Sequence, residues 1–476
     1  MALSGEDRPW HLQSLLSSNR SAKVPMKKEC VIQQCKTVCD ELFRARPGTV
    51  FYQNDEGYST QQSTYFARQQ ASLNPSCFFQ PQNETDVSHA VRLASKEGCP
   101  FAVKSGGHAT FGGASNIRGG LTISLELLNE ITLIGNGSLV RIGPGNRWYD
   151  VYRELEKNNM TVPGGRTGSA VLSNGSIVNV NASSYPDLHW ALRGGGSNFA
   201  IITRFDFKPI HHEMMWGGIR NYTIDQVEAL LDAYVDIGFR GGDNPSAYQI
   251  TTLYYTEAKH HATVDLYNTE PEPDAPIFNS LNQAHHYSDT TALNRQSNIS
   301  WINYQGQPDG HRQTYWTVTY KLNRELAGFV KDVFLEESGQ LGNLTGLEAR
   351  CILQVFTTDI LRQMQKNGGN PMGIGGGAQP LMILNFAFRW EDSADDMRIL
   401  RSITNLINRV NVRTHATGLY EPFLYMNYAS GFQDVLESYG TENLNRLKDI
   451  SRKYDPDQVF QTLQRGYFKL SGRVGW

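Results

Sequence analysis

The chain has 476 residues, 39 % of them hydrophobic, enough to bury more than one core. With 44 Lys and Arg against 47 Asp and Glu, its net charge is −3 and no long basic run occurs, so nucleic-acid binding is not expected. No apolar run is long enough for a membrane span, and within the polar first 25 residues Leu15-Leu16 is too short for the apolar stretch of a secretory leader.

Residues 1–70 are polar, with one helical stretch over 30–43. Cys30, Cys35, Cys39, Cys77 and Cys99 cluster in the first hundred residues and Cys351 stands apart, which suits a small disulfide framework or buried thiols. Sequons at Asn19, Asn83, Asn136, Asn159, Asn174, Asn181, Asn221, Asn298 and Asn343 hint at a secretory lineage, and the missing leader argues the other way. The compartment stays open.

Val87, Ala90, Val91 and Ala94 keep helical spacing, with Thr85 as N-cap and Gly98 as stop. Phe101-Ala102-Val103 then reads as a short buried strand. It delivers Lys104-Ser105-Gly106-Gly107-His108-Ala109 at its C-terminal end, where ligand loops of α/β units sit. Two glycines ahead of a histidine make a tight turn whose amides can converge on an anion. Residues 121–134 are strand-rich, Asn136-Gly137 makes a turn, and 139–142 is another strand. Trp148, Val151, Tyr152 and Leu155 share a helical face. Val171-Leu172 and Ile177-Val178 flank Asn174-Gly175 as a hairpin. Ser184 and Pro186 open a helix that ends at Gly194-Gly195-Gly196, and 201–207 alternates as a strand should.

From about His211 the chain turns aromatic and alternating, at 248–255, 315–320, 352–356 and 381–390, with helical patterns at 226–237 and 326–335. That predicts an α+β unit, an antiparallel sheet with helices on one side. The pairs His211-His212, His260-His261 and His285-His286 do not suggest a metal site, because neighbours in a strand point to opposite faces.

Four ordered motifs carry a resemblance. The run FAVKSGGHATFGG from Phe101 resembles the first pyrophosphate loop of the berberine-bridge-enzyme-like FAD-linked oxidoreductases. NGSIVNVNASSYPDLHWALRGGGSNFAIITRFDF from Asn174 resembles the end of their flavin domain. GGNPMG from Gly368 is similar to an element of fungal members, and YMNY from Tyr425 with KYDPDQVF from Lys453 resembles their closing segment. The resemblance implies a flavin domain of the PCMH (vanillyl-alcohol-oxidase-like) type over 71–211, a substrate domain over 212–412, and a C-terminal segment, 413–476, that returns to the flavin domain, after an N-terminal segment of 1–70.

It further implies FAD as cofactor, covalently held through His108, with Lys104, Ser105, Gly106, Gly107 and Ala109 at the phosphates. Gly194, Gly195, Gly196, Asn198, Ala200 and Ile201 would pass under the flavin edge. Tyr425, Asn427 and Tyr428 would face its reactive side as catalytic groups, on an alternating Y-x-N-Y strand, and Asn370 would shape the pocket rim. The partners expected are a small organic substrate, of secondary-metabolite type, and dioxygen as electron acceptor. One departure stands out. Pro163-Gly-Gly-Arg166 runs through Thr167-Gly-Ser169 directly into Ala170-Val171, where the family carries a long Gly-rich module with a second phosphate loop. A flavin-depleted pseudoenzyme, a defective gene model of the same family and a non-redox cyclase therefore stand as alternatives.

Overall fold

The structure, a computed structural model, describes residues 28–163, 167–375 and 377–472. Gly164, Gly165 and Arg166 of the expected turn lie outside the described residues, as does the side chain of Cys30.

Strands Cys77–Phe79, Leu121–Ser124 and Phe101–Lys104 pair in parallel in that order, with Val50–Phe51 antiparallel at the edge. Helix Glu84–Glu97 makes the crossover, and Val87, Ala90, Val91 and Ala94 are fully buried as its spacing predicts. Its cap is Asn83, not Thr85. Asn83 has extended backbone, so its side-chain oxygen reaches the Asp86 N–H at 3.0 Å, whereas Thr85 already lies within the first turn. Gly98 ends the helix in the left-handed conformation. Helix Lys28–Ala45 packs beside it, tied down by the disulfides Cys35–Cys99 and Cys39–Cys77. The cysteines thus form a framework, and Cys351 is a buried thiol. Closing loops of 64 and 38 residues stabilises the fold by about 4 kcal/mol each in the chain-entropy account.

A second sheet has the order Ile131–Ile134, Leu139–Ile142, Ile201–Phe207, Thr167–Val171, Ile177–Val180, all antiparallel. The expected hairpin is present, with Val171 opposite Ile177. Among the described residues the third sheet has nine antiparallel strands, including Met215–Thr223, Lys259–Asn268, Ala247–Thr256, Glu348–Phe356, Leu381–Trp390 and Arg312–Lys321 in that order. Helices Val227–Arg240, Arg324–Gly339 and Asp396–Thr417 cover one face. The last of these was not foreseen, although Ile399, Ile403, Leu406, Ile407 and Val410 form a continuous buried stripe on it.

Strand alternation divides the large sheet cleanly. Leu253, Tyr255, Val264, Leu266, Cys351, Leu353, Leu384 and Phe386 face the helices in the main core. Their neighbours Ile250, Thr252, Tyr254, Asp265, Tyr267, Arg350, Ile352, Gln354 and Asn385 face the other way and floor a cavity.

Candidate active site

The cavity has a volume of about 1000 Å³, and its walls come from the glycine turns of the two smaller sheets, the floor of the large sheet and the C-terminal segment. Ser105, Gly106, Gly107, His108 and Ala109 form one wall. Gly107 has φ +68, and a Cβ there would meet Lys104 Cε at 3.2 Å and the Thr64 carbonyl oxygen at 3.3 Å, so both backbone and space call for glycine. Open space lies in front of Gly106. Lys104 does not line the cavity. Its buried ammonium donates to the Gln61 carbonyl (3.2 Å) and to Thr64, over the Tyr65 ring, and burial pushes it down to about 8.

The His108 imidazole lies flat on Phe66, ring centres 3.9 Å apart and 10° from parallel, and 6.5 Å from Tyr315. His108 is exposed on the cavity wall, and desolvation by the protein packed around it lowers its pKa from the ordinary histidine value. The loop is braced from two other parts of the chain. Gln70 Nε2 donates to the Ala109 carbonyl at 2.9 Å, and the Tyr315 N–H donates to Thr110 Oγ1 at 3.3 Å.

The second glycine turn splits by role. Gly196, Ala200 and Ile201 line the cavity; Gly194, Gly195 and Asn198 do not. Gly195 is excluded from carrying a side chain by the Ala191 carbonyl, 2.5 Å from its would-be Cβ, and the Tyr439 hydroxyl donates to the Gly194 carbonyl at 3.0 Å. Asn198 is fully buried, donating to the Gly195 (2.7 Å) and Phe468 (2.9 Å) carbonyls and accepting from Gln461 at 2.9 Å. It shapes the turn from behind. Asn370 likewise stays off the cavity and stabilises its own loop, donating to the Met364 carbonyl at 2.9 Å.

The YMNY segment is a single 3₁₀ turn, Met426–Tyr428, and not an alternating strand. This geometry separates its two tyrosines. Asn427 and Tyr428 line the cavity, and the Tyr428 hydroxyl accepts from Gln354 Nε2 at 3.1 Å. Tyr425 stands behind, its ring edge-on to Tyr428 at 4.9 Å and its hydroxyl accepting from Asn427 at 3.0 Å, with its pKa raised by burial. The sequence reading missed Phe66, Tyr315 and the polar end of the floor. There Asn303 donates to the Tyr267 hydroxyl (3.1 Å), Arg350 lies over Tyr254 at 5.1 Å, and burial lifts Asp265 to about 6. Alternation within the strands was the signal that could have found the floor residues.

A family model described as an FAD binding domain matches residues 75–186, and one described as berberine and berberine like matches 424–464. The FAD-dependent monooxygenase tpcD of Cochliobolus heterostrophus is 32 % identical over 453 positions, covering 86 % of this chain and 87 % of the relative. The chain belongs to the berberine-bridge-like FAD-linked oxidoreductases. It is an FAD-dependent oxidoreductase of the kind found among fungal relatives. Among solved structures, 6-hydroxy-D-nicotine oxidase of Arthrobacter nicotinovorans superposes with a TM-score of 0.70 at 19 % identity, over 87 % of this chain and 96 % of that one. Glucooligosaccharide oxidase of Acremonium strictum, described with a 6-S-cysteinyl, 8α-N1-histidyl FAD, gives 0.72 at 18 % identity, over 92 % and 99 %. These structures share the PCMH-type fold.

The residues present fit FAD on one wall. The glycine turn offers amides beside open space, and no side chain hydrogen-bonds to the His108 ring among the described residues. None of residues 168–180 lines the cavity, whereas Leu125, Pro144, Trp148, Ile202 and Phe205 do. The tpcD alignment also leaves positions unfilled: 86 % of 476 residues is about 409, against 453 aligned positions.

Proposed function

We propose that this enzyme oxidises a small organic molecule of secondary-metabolite type, with dioxygen as the electron acceptor and FAD linked through His108. The observation that carries the reading is the convergence of His108, Tyr315, Asn427 and Tyr428 on one cavity floored by the large sheet. FAD supplies the two-electron acceptor, a chemistry no side chain here provides. The chain's residues supply placement and proton handling. Ser105, Gly106, Gly107 and Ala109 receive the phosphates through the turn, and Gly196, Ala200 and Ile201 leave room for close approach. Tyr428, fixed by Gln354, holds or takes the substrate proton, Asn427 orients the substrate, and Tyr425 keeps both in place from behind. Residues 71–211 serve the cofactor and 212–412 the substrate, with 413–476 closing the cavity. Covalent attachment is supported by the place of His108 on the cavity wall, where its pKa is lowered from the ordinary value, and by the histidyl flavin of the Acremonium oxidase.

The absence of residues 168–180 from the cavity lining and the unfilled alignment positions favour a second reading, a member that holds flavin weakly or not at all. One preparation separates the two. Flavin absorbance in the purified chain that survives acid precipitation supports the first reading. A colourless protein supports the second.

A further inference from the structure

We infer that Phe66 is a positioning residue for the attachment of flavin at His108, holding the imidazole in one plane so that a ring nitrogen is presented to the cavity. The inference rests on the covalent reading above. Phe66 is itself immobilised: it is 2 % exposed, and its N–H donates to the Gly107 carbonyl at 3.1 Å. Its carbonyl accepts from the Gly310 N–H and from Gln313 Nε2, both at 3.0 Å. Two stretches of chain distant in sequence, at Gly107 and at Gly310–Gln313, therefore fix the backbone that carries this phenyl ring. That ring covers one face of His108 nearly parallel at 3.9 Å, and Tyr315 stands 5.9 Å from Phe66 at a tilt of 58°. No other side chain orients the imidazole by hydrogen bonding among the described residues, so packing against Phe66 is what sets its rotation.

The attachment balances simply. A bond forms between an imidazole nitrogen and the flavin 8α carbon, one C–H and one N–H hydrogen leave, and dioxygen takes both with two electrons to become hydrogen peroxide. Its rate depends on how often the nitrogen faces the carbon, and misplacement of reacting atoms by about 1 Å costs on the order of a hundredfold.

The test uses the full chain expressed under riboflavin limitation and incubated with excess FAD in aerated buffer. Acid-stable flavin is read by in-gel fluorescence across a range of FAD concentrations. Phe66→Leu is expected to lower the limiting rate of covalent incorporation roughly ten- to a hundredfold, with the half-saturating FAD concentration unchanged. Phe66→Met, close in volume, serves if the leucine variant does not fold, and is expected to show the same split. Incorporation at the wild-type rate in either folded variant overturns the inference, as does a loss that appears only as weaker FAD saturation. His108→Ala forming no acid-stable flavin upholds the underlying reading. Wild-type protein that forms none overturns that reading, and the inference with it.

Discussion

Gln354 Nε2 donates to the Tyr428 hydroxyl at 3.1 Å, joining the floor of the large sheet to the C-terminal turn. This contact occupies a lone pair of the phenol and leaves its proton free to be donated. Tyr428→Phe should therefore keep the flavin spectrum and the melting temperature while slowing anaerobic flavin reduction by about a hundredfold or more. Tyr425→Phe, behind the cavity wall, should slow it far less. Stopped-flow reduction with any accepted substrate decides the matter, and a wild-type rate in Tyr428→Phe would assign that hydroxyl to packing.

His108→Ala should yield protein whose yellow colour passes into the acid supernatant, since the remaining turn holds flavin only by non-covalent contacts. The comparison is absorbance of pellet against supernatant after precipitation. Equal release from the wild type would show that no tether exists.

Inserting a Gly-rich module from a close relative after Ser169 should raise both flavin content and melting temperature. A charge-assisted hydrogen bond is worth about 1.5–3 kcal/mol, so regaining two amide contacts to phosphate would tighten binding by about a hundredfold or more. Tighter binding stabilises the fold by mass action. Stoichiometric flavin in the chain as it stands would refute the expectation, and would mean that the hairpin after Ser169 closes the site by another route.

Lys469 offers a pH prediction. It is buried, its ammonium donating to the Ser197 carbonyl at 3.2 Å, and burial pushes it down to about 7. Between pH 7 and the ordinary lysine range the unfolded chain binds this proton and the folded chain does not, so this group makes stability rise with pH across that window. Below about pH 7 both states are protonated and the burial penalty is complete. Lys469→Met should flatten that rise, and melting temperatures of the two proteins from pH 7 to 10 should converge as pH increases. Parallel curves would rule the assignment out.

What the sequence made legible was local. The glycine turn at 105–109 and the strand Ile201–Phe207 were readable because a turn needs glycine and a strand needs alternation, both written in consecutive residues. Phe66 was not readable. Its placement arises from contacts with Gly107, Gly310 and Gln313, and no spacing in the chain announces them. Lys104 and Asn198 sit in the right motifs but turn their side chains into the scaffold, because buried amides and ammonium groups take the backbone carbonyls within reach. The separation of Tyr425 from Tyr428 depended on a 3₁₀ turn where an alternating strand was expected, a difference of local dihedrals that four residues do not specify.

The two-sidedness of the large sheet carries a consequence for how such an enzyme diversifies. Ile352 touches the cavity while Cys351 and Leu353, on either side of it, belong to the helix-packed core. Ile250, Thr252, Ile352 and Asn385 can thus change one at a time, reshaping the cavity floor while the three-helix side keeps the same framework. Selection for novelty and selection for folding act on alternate letters of the same strands.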